Sequence, residues 1–178
     1  NLVLTYRVTS RTLAFFISPI SGALMFFSYP LLALWLHSTR AAQVAFVPLS
    51  ILAFPNMLNA VMQIPLALQI ASGLTKIGVW TNTIGVVLLL PMMWAGISVF
   101  GLAGAGLMWA IFNLFYYLFI PWILHQRVML GQHHLWIWVD TIPFFLLALI
   151  VFAAFAWLSF SWDNEWKVFL SIPLGGIV

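Results

Sequence analysis

The sequence predicts an all-α membrane protein: a polytopic bundle of about six transmembrane helices in a single transmembrane domain over residues 1–178. Three observations carry that prediction. Charge is nearly absent, since Lys76 is the only charged residue between Ala41 and Gln126. Of the whole chain 65% is hydrophobic and 5% charged, where a soluble domain carries about 25% charge. The apolar runs are about 20 to 28 residues long, which suits spanning helices, and they lack the alternating polarity of strands. A mean hydropathy of +1.13 makes lipid the solvent for most of the surface. In lipid every backbone polar group has to be paired internally, which leaves helices or closed barrels, and run length selects helices.

The elements follow in order. Asn1 to Arg11 carries Arg7 and Arg11 and reads as a juxtamembrane connector or the end of an earlier helix. The first clear span is 12–36, with Pro19 and Pro30 inside it. Ser18, Ser21, Gly22, Ser28 and Tyr29 fall near one face of it, as helix-packing residues do or as the lining of a cavity. His37 to Arg40 is a short loop. The second span, 43–70, is long for one crossing, so tilt or a kink at Pro48, Pro55 or Pro65 is expected. Spans three and four, 78–99 and 102–124, are joined at Phe100–Gly101 with no charge between them, which fits a tight helical hairpin. His125 to Trp138 reads as a polar loop, followed by a fifth span at 140–160. Ser161 to Glu165 is a loop with Asp163 and Glu165, and a sixth, truncated span occupies 166–178.

Six alternating spans put Arg7, Arg11, Lys76 and Arg127 on one side and Arg40 and Lys167 on the other. The positive-inside rule makes the first side cytoplasmic. Trp80, Trp122, Trp136, Trp138, Trp157, Trp162 and Trp166 lie near predicted helix ends, as interfacial aromatics do.

Composition excludes several function classes. The formal charge of +3 is scattered with no basic stripe, so nucleic acid is not a partner. Cysteine is absent, which removes disulfide frameworks and thiolate metal sites. No metal motif or cofactor-binding loop is present, and His133-His134 has no carboxylate or third histidine at ligand spacing. No Ser/His/Asp grouping appears, and none of His37, His125, His133 and His134 has an acidic partner close in sequence, so an enzyme is the weaker hypothesis. No predicted span contains an internal acid or base, which argues against a proton-coupling centre in this piece. The first residue is Asn1, no signal peptide is visible, and Ile172 to Val178 stays apolar to the end. The chain reads as a piece of a longer one.

The informative polar residues are amides. Asn56, Asn59 and Gln63 are spaced i, i+3, i+7 and share a face about 60° wide in a proline-rich helix. Such amides either bond a neighbouring helix or line a wet cavity of the kind broken helices form. Span four has a similar face of Gly106, Trp109, Asn113, Tyr116 and Tyr117, where an amide among aromatics suits a sugar ring and suits plain packing equally. Gly101, Gly104, Ala105 and Gly106 are read as helix-packing residues.

One order of features looks familiar. A helix ends in Leu34-Trp35-Leu36-His37-Ser38, and a long helix leads to Ala71-Ser72-Gly73-Leu74-Thr75-Lys76. A helix pair then joins at Gly101-Leu102-Ala103-Gly104-Ala105-Gly106, with Trp109 and Asn113 after it. Over about residues 7–127 this resembles the C-terminal lobe of the bacterial polysaccharide (O-antigen) flippases, in the multidrug/oligosaccharidyl-lipid/polysaccharide exporter superfamily. The resemblance implies a fold of two six-helix lobes, with the spans here corresponding to helices nine to fourteen. It implies alternating-access translocation of a lipid-linked oligosaccharide for lipopolysaccharide biosynthesis, in a multi-pass protein of the bacterial inner membrane. The implied partners are membrane lipid, a polyprenyl-pyrophosphate-linked glycan and the missing N-terminal lobe of the same chain. Members of that family commonly meet the pyrophosphate with basic cavity residues. None lies within the predicted spans, so those charges would come from the missing lobe or from Arg7, Arg11 or Arg40. Two rivals stand beside this reading: a multidrug exporter of the same superfamily, which acidic cavity residues would mark, and a membrane-embedded glycosyltransferase or acyltransferase, which an interfacial His with a carboxylate partner would mark.

Overall fold

A computed structural model describes residues 2–162. Among the described residues the chain is helical with no strand. Helix α1 (Leu2–Phe26) continues past a bend at Phe27 as α2 (Ser28–Leu36). Helix α3 (Thr39–Val61) continues past a break at Met62 as α4 (Gln63–Ala71). Then come α5 (Thr75–Val128), the short α6 (Gln132–Leu135), a π-helical turn at Trp136–Thr141 and α7 (Ile142–Trp162). Both breaks have a proline cause. A proline ring clashes with the carbonyl four residues back; for Pro30 that is Phe26 and for Pro65 it is Val61. Of the three prolines weighed in the second span only Pro65 marks a break, since Pro48 and Pro55 sit inside α3.

Four stretches are long and apolar enough to cross a membrane: Leu2–Phe26, Thr39–Ala71, Thr75–Val128 and Gln132–Ser159. The third is long enough to cross twice. Its 54 residues would reach about 80 Å as one straight helix, against a hydrocarbon core of about 30 Å. At Gly101 the backbone adopts φ 60°, ψ −147°, a region essentially closed to residues with a Cβ. The chain reverses there, and residues 102–128 run back along 75–100. A Cβ at Gly96 would lie 2.7 Å from the Gly104 carbonyl oxygen, and one at Gly85 would lie 2.9 Å from Phe112 Cζ. This is the hairpin expected from the uncharged join.

Three expectations need correction. Residues 2–11 are not a connector; they are the first turns of α1, so Arg7 and Arg11 belong to a spanning helix. The polar loop expected at 125–138 shrinks to a turn around Gly131, because His125 to Val128 complete α5 and Gln132 onward is already helical. Gly101 is not a packing residue: a Cβ there would meet nothing within 4 Å, and its part is conformational. Gly104 does pack, on Gly96, and Ala105 is half-buried beside it. The sixth span and the Asp163–Glu165 loop lie outside the described residues.

Helix α3 lies against α1, α2 and α5, while α7 lies against α1. Their common core includes Ala14, Met57, Leu58, Val61, Tyr117, Leu124, Trp136 and Phe145. The small-residue face of α1 and α2 packs helices: Ser18, Ser21, Gly22 and Ser28 are all buried, and Ser28 Oγ reaches Ser50 Oγ of α3 at 2.5 Å. Gly22 admits the Phe152 ring of α7. Outside this core the surface is apolar. In residues 75–100 only Gly78, Gly85 and Gly96 are buried, and Trp80, Val87 and Trp94 stand out fully. Continuous apolar exposure on that scale marks lipid contact rather than a water-facing surface. Trp122, Trp138 and Trp157 are likewise exposed, but Trp136 is fully buried and is not an interfacial aromatic.

Candidate functional site

Helices α3 and α4, through Asn59, Met62, Gln63 and Leu66, face both halves of the α5 hairpin across a cavity of about 320 Å³. The hairpin contributes Asn82, Gly85, Val86 and Leu89 from one half and Trp109, Phe112, Asn113 and Tyr116 from the other. The bend at Met62 lies in this wall, and the backbone stays hydrogen-bonded through it, Met62 N–H to the Leu58 carbonyl at 3.1 Å and Leu66 N–H to the Met62 carbonyl at 3.0 Å. Asn59 is half-buried and Gln63 exposed. Gln63 Nε2 donates to the Asn59 carbonyl at 3.4 Å, a long bond within the same helical stretch. Asn113 is buried, and its Nδ2 donates to the Trp109 carbonyl at 2.9 Å. These bonds run along one chain segment and leave the helices unbridged. The side-chain amides of Asn59 and Asn82 take part in no hydrogen bond among the described residues, though each has two donors and a two-lone-pair acceptor to offer.

Aromatic rings form one wall. Trp109 and Phe112 stack at 6.1 Å between centroids, and Phe112 and Tyr116 at 6.2 Å. Behind that wall, between the hairpin halves, lies a second, apolar groove of about 310 Å³ bordered by Ile84, Leu88, Phe115, Phe119 and Ile120. Gly85 is shared by both spaces, and its missing side chain is what admits the Phe112 ring.

Four of the six residues expected at a substrate cavity therefore meet: Asn59, Gln63, Asn113 and Tyr116. Asn56 and Tyr117 do not line it. Asn56 is exposed and lies outside the lining. Tyr117 follows Tyr116 by one position, and consecutive helical residues point about 100° apart, so only one of the two can face the cavity. The Tyr117 ring turns inward, packs on Trp136 at 5.2 Å and bonds the Thr141 hydroxyl. Asn82 was missed. Its only signal is that it is the one amide in an apolar span.

A second polar cluster joins residues far apart in the chain. Asp140, in the π-helical turn, is completely buried. Arg7 Nε donates to its Oδ2 at 2.8 Å and Arg7 Nη2 to its Oδ1 at 3.2 Å, while Arg11 Nε also donates to Oδ1. Next to it Trp136 Nε1 donates to Ser10 Oγ at 3.0 Å. His125 Nε2 and Tyr6 Oη lie 2.8 Å apart, and His125 Nδ1 and His133 Nδ1 lie 3.4 Å apart. The expectation that no span holds an internal charge is thus overturned for Arg7, Arg11 and Asp140. His133, expected in a solvated loop, is half-buried against His125. In this cluster almost every polar group has a partner on another helix. It clamps α1 to α7 and to the end of α5.

No family model, no curated protein and no solved structure matches the chain.

Proposed function

We propose that this chain is part of a membrane transporter whose amide-lined cavity receives a polar, hydroxyl-rich head group, and that its cargo is a lipid-linked oligosaccharide. One observation carries the reading: Asn59 and Asn82 face a cavity of about 320 Å³ with no hydrogen-bond partner among the described residues, in a solvent where an unsatisfied polar group costs several kcal/mol. The volume falls within the range of about 300–1,000 Å³ typical of small-molecule pockets. Aromatic faces beside amides suit the apolar faces and hydroxyl edges of sugar rings. The apolar groove behind Phe112 and Tyr116 supplies a surface for the lipid part of the same cargo. The likeness of residues 7–127 to the polysaccharide flippases supports alternating access, with the other lobe completing the cavity and the bacterial inner membrane as the location.

The rivals gain less. Among the described residues no acidic side chain lines the cavity, as a carrier of cationic drugs would need. His125 is bonded to Tyr6 and His133, and the partners of Asp140 are arginines, so the His–carboxylate pair of a transferase is not formed by these groups.

These 178 residues hold no cysteine, so the test needs replacement only of any cysteine elsewhere in the full-length protein. A single cysteine at Asn59 in the full-length protein should react with a water-soluble maleimide, and a lipid-linked oligosaccharide should protect it where the bare lipid carrier does not. Equal labelling with and without the glycan would refute the assignment. Orientation is tested the same way. Cysteine at Lys76 should be shielded from an impermeant reagent in intact cells and cysteine at Arg40 should be labelled; the opposite pattern would invert the topology.

A further inference from the structure

The cluster around Asp140 is unbalanced. Asp140 is the only acidic residue among the described residues, and two guanidinium groups share it. One positive charge is left over, and it sits on the Arg11 side. Arg7 engages the carboxylate through Nε and Nη2, whereas Arg11 does so through Nε alone. The Arg11 side chain is 43% exposed against 24% for Arg7, so the two terminal nitrogens of Arg11 are the cluster's outward donors.

The surface around Arg11 is apolar. Val8 and Phe15, each about one turn from it along α1, and Leu4, two turns away, are all exposed. Phe144 of α7 packs edge-on against Phe15 below it, and Trp138 stands exposed on the neighbouring π-helical turn. A cation on a lipid-facing surface has to be paired or reach the interface. Helical side chains lean toward the helix N-terminus, and a long arginine extends further that way. For Arg11 this direction leads to the end of the bundle that also carries Lys76 and Arg127. An outward guanidinium on an apolar surface, at the end of the bundle that carries the other cations, is the setting in which a phospholipid phosphate sits.

We infer that the surface where α1 meets the π-helical turn is a binding site for the phosphate head group of an anionic membrane lipid, held by the outward nitrogens of Arg11 and steadied by Arg7 and Asp140. Asp140 fixes the two guanidiniums in place, and the lipid phosphate supplies the second negative charge that the described residues do not. The site is separate from the amide cavity and does not depend on the cargo proposed for it.

The test is lipid retention by the full-length protein, extracted from vesicles of equal phosphatidylglycerol and phosphatidylcholine and examined by native mass spectrometry. The intact protein should retain phosphatidylglycerol over phosphatidylcholine by about fivefold, the factor one interfacial cation contributes. Arg11→Gln should bring the ratio near one, while Arg11→Lys keeps most of it. Val8→Glu, one turn away on the same exposed face, should abolish the preference by offering an internal carboxylate, and it leaves Arg11 in place if Arg11→Gln does not fold. Lys76→Gln should change nothing. The inference fails if the intact protein shows no preference, or if neither Arg11→Gln nor Val8→Glu lowers it. It fails equally if Lys76→Gln lowers it as much, which would make the effect diffuse surface charge. Displacement of the lipid by excess inorganic phosphate would also overturn it, because the occupant would then be a free anion.

Discussion

The two polar regions of this bundle are built from similar means and behave oppositely. Around Asp140, polar groups are buried and bonded to other helices: Arg7 and Arg11 to Asp140, Trp136 to Ser10, His125 to Tyr6, Tyr117 to Thr141. Around Asn59 the amides range from buried Asn113 to exposed Gln63, their bonds stay within one chain segment, and they face a cavity. In lipid, hydrophobicity does not drive helices together, so cross-helix bonds and close packing do that work. A polar residue with a partner on another helix therefore holds the fold. One that faces a space without a partner is available to a ligand. Residue type does not separate the two cases, but partnership does.

Substitutions should separate the regions by size of effect. The largest loss is expected from Asp140→Ala, which leaves two cations uncompensated. Removing one partner of a buried pair costs about 3–5 kcal/mol, and the partial exposure of both arginines puts this case at the lower end. The triple change of Arg7, Arg11 and Asp140 to Leu should recover most of that stability, because well-packed apolar residues often replace a buried ion cluster without loss. Thermal melting in detergent reads both. If Asp140→Ala melts like the intact protein, the clamp is not a clamp. A smaller loss, about 1–3 kcal/mol, is expected from Ser10→Ala, which strands the buried Trp136 N–H. An unchanged melting temperature there would remove Trp136 from the holding set.

The sequence made one region readable and hid the other. Helices followed from charge-free runs, and the hairpin at Gly101 followed from two such runs meeting with no charge between them. Part of the amide cavity was legible because Asn59 and Gln63 are close in sequence. The expectation failed for Asn56, two turns before Gln63, because a shared face does not say how far along the helix a cavity extends. The clamp was illegible for a plain reason: Arg7 and Asp140 are 133 positions apart, and each lies near a helix end, where a charge reads as interfacial. Polar residues among the first eleven positions likewise disguised the start of α1. Pairing across that distance depends on α1 and α7 lying side by side, which periodicity within either helix does not encode.

The distinction between holding and binding is tested most directly by Asn59→Leu combined with Gln63→Leu in the full-length protein, with melting temperature and transport per folded molecule measured on the same preparation. An inter-helix polar contact in a membrane contributes about 0.6 kcal/mol on average, and these two amides make none among the described residues. Stability should therefore stay within about that amount, while transport of the lipid-linked glycan falls severalfold because its hydroxyl groups lose their partners. A double variant that transports normally per folded molecule would contradict the account, and a large drop in melting temperature beside normal transport would show that the amides hold helices together after all.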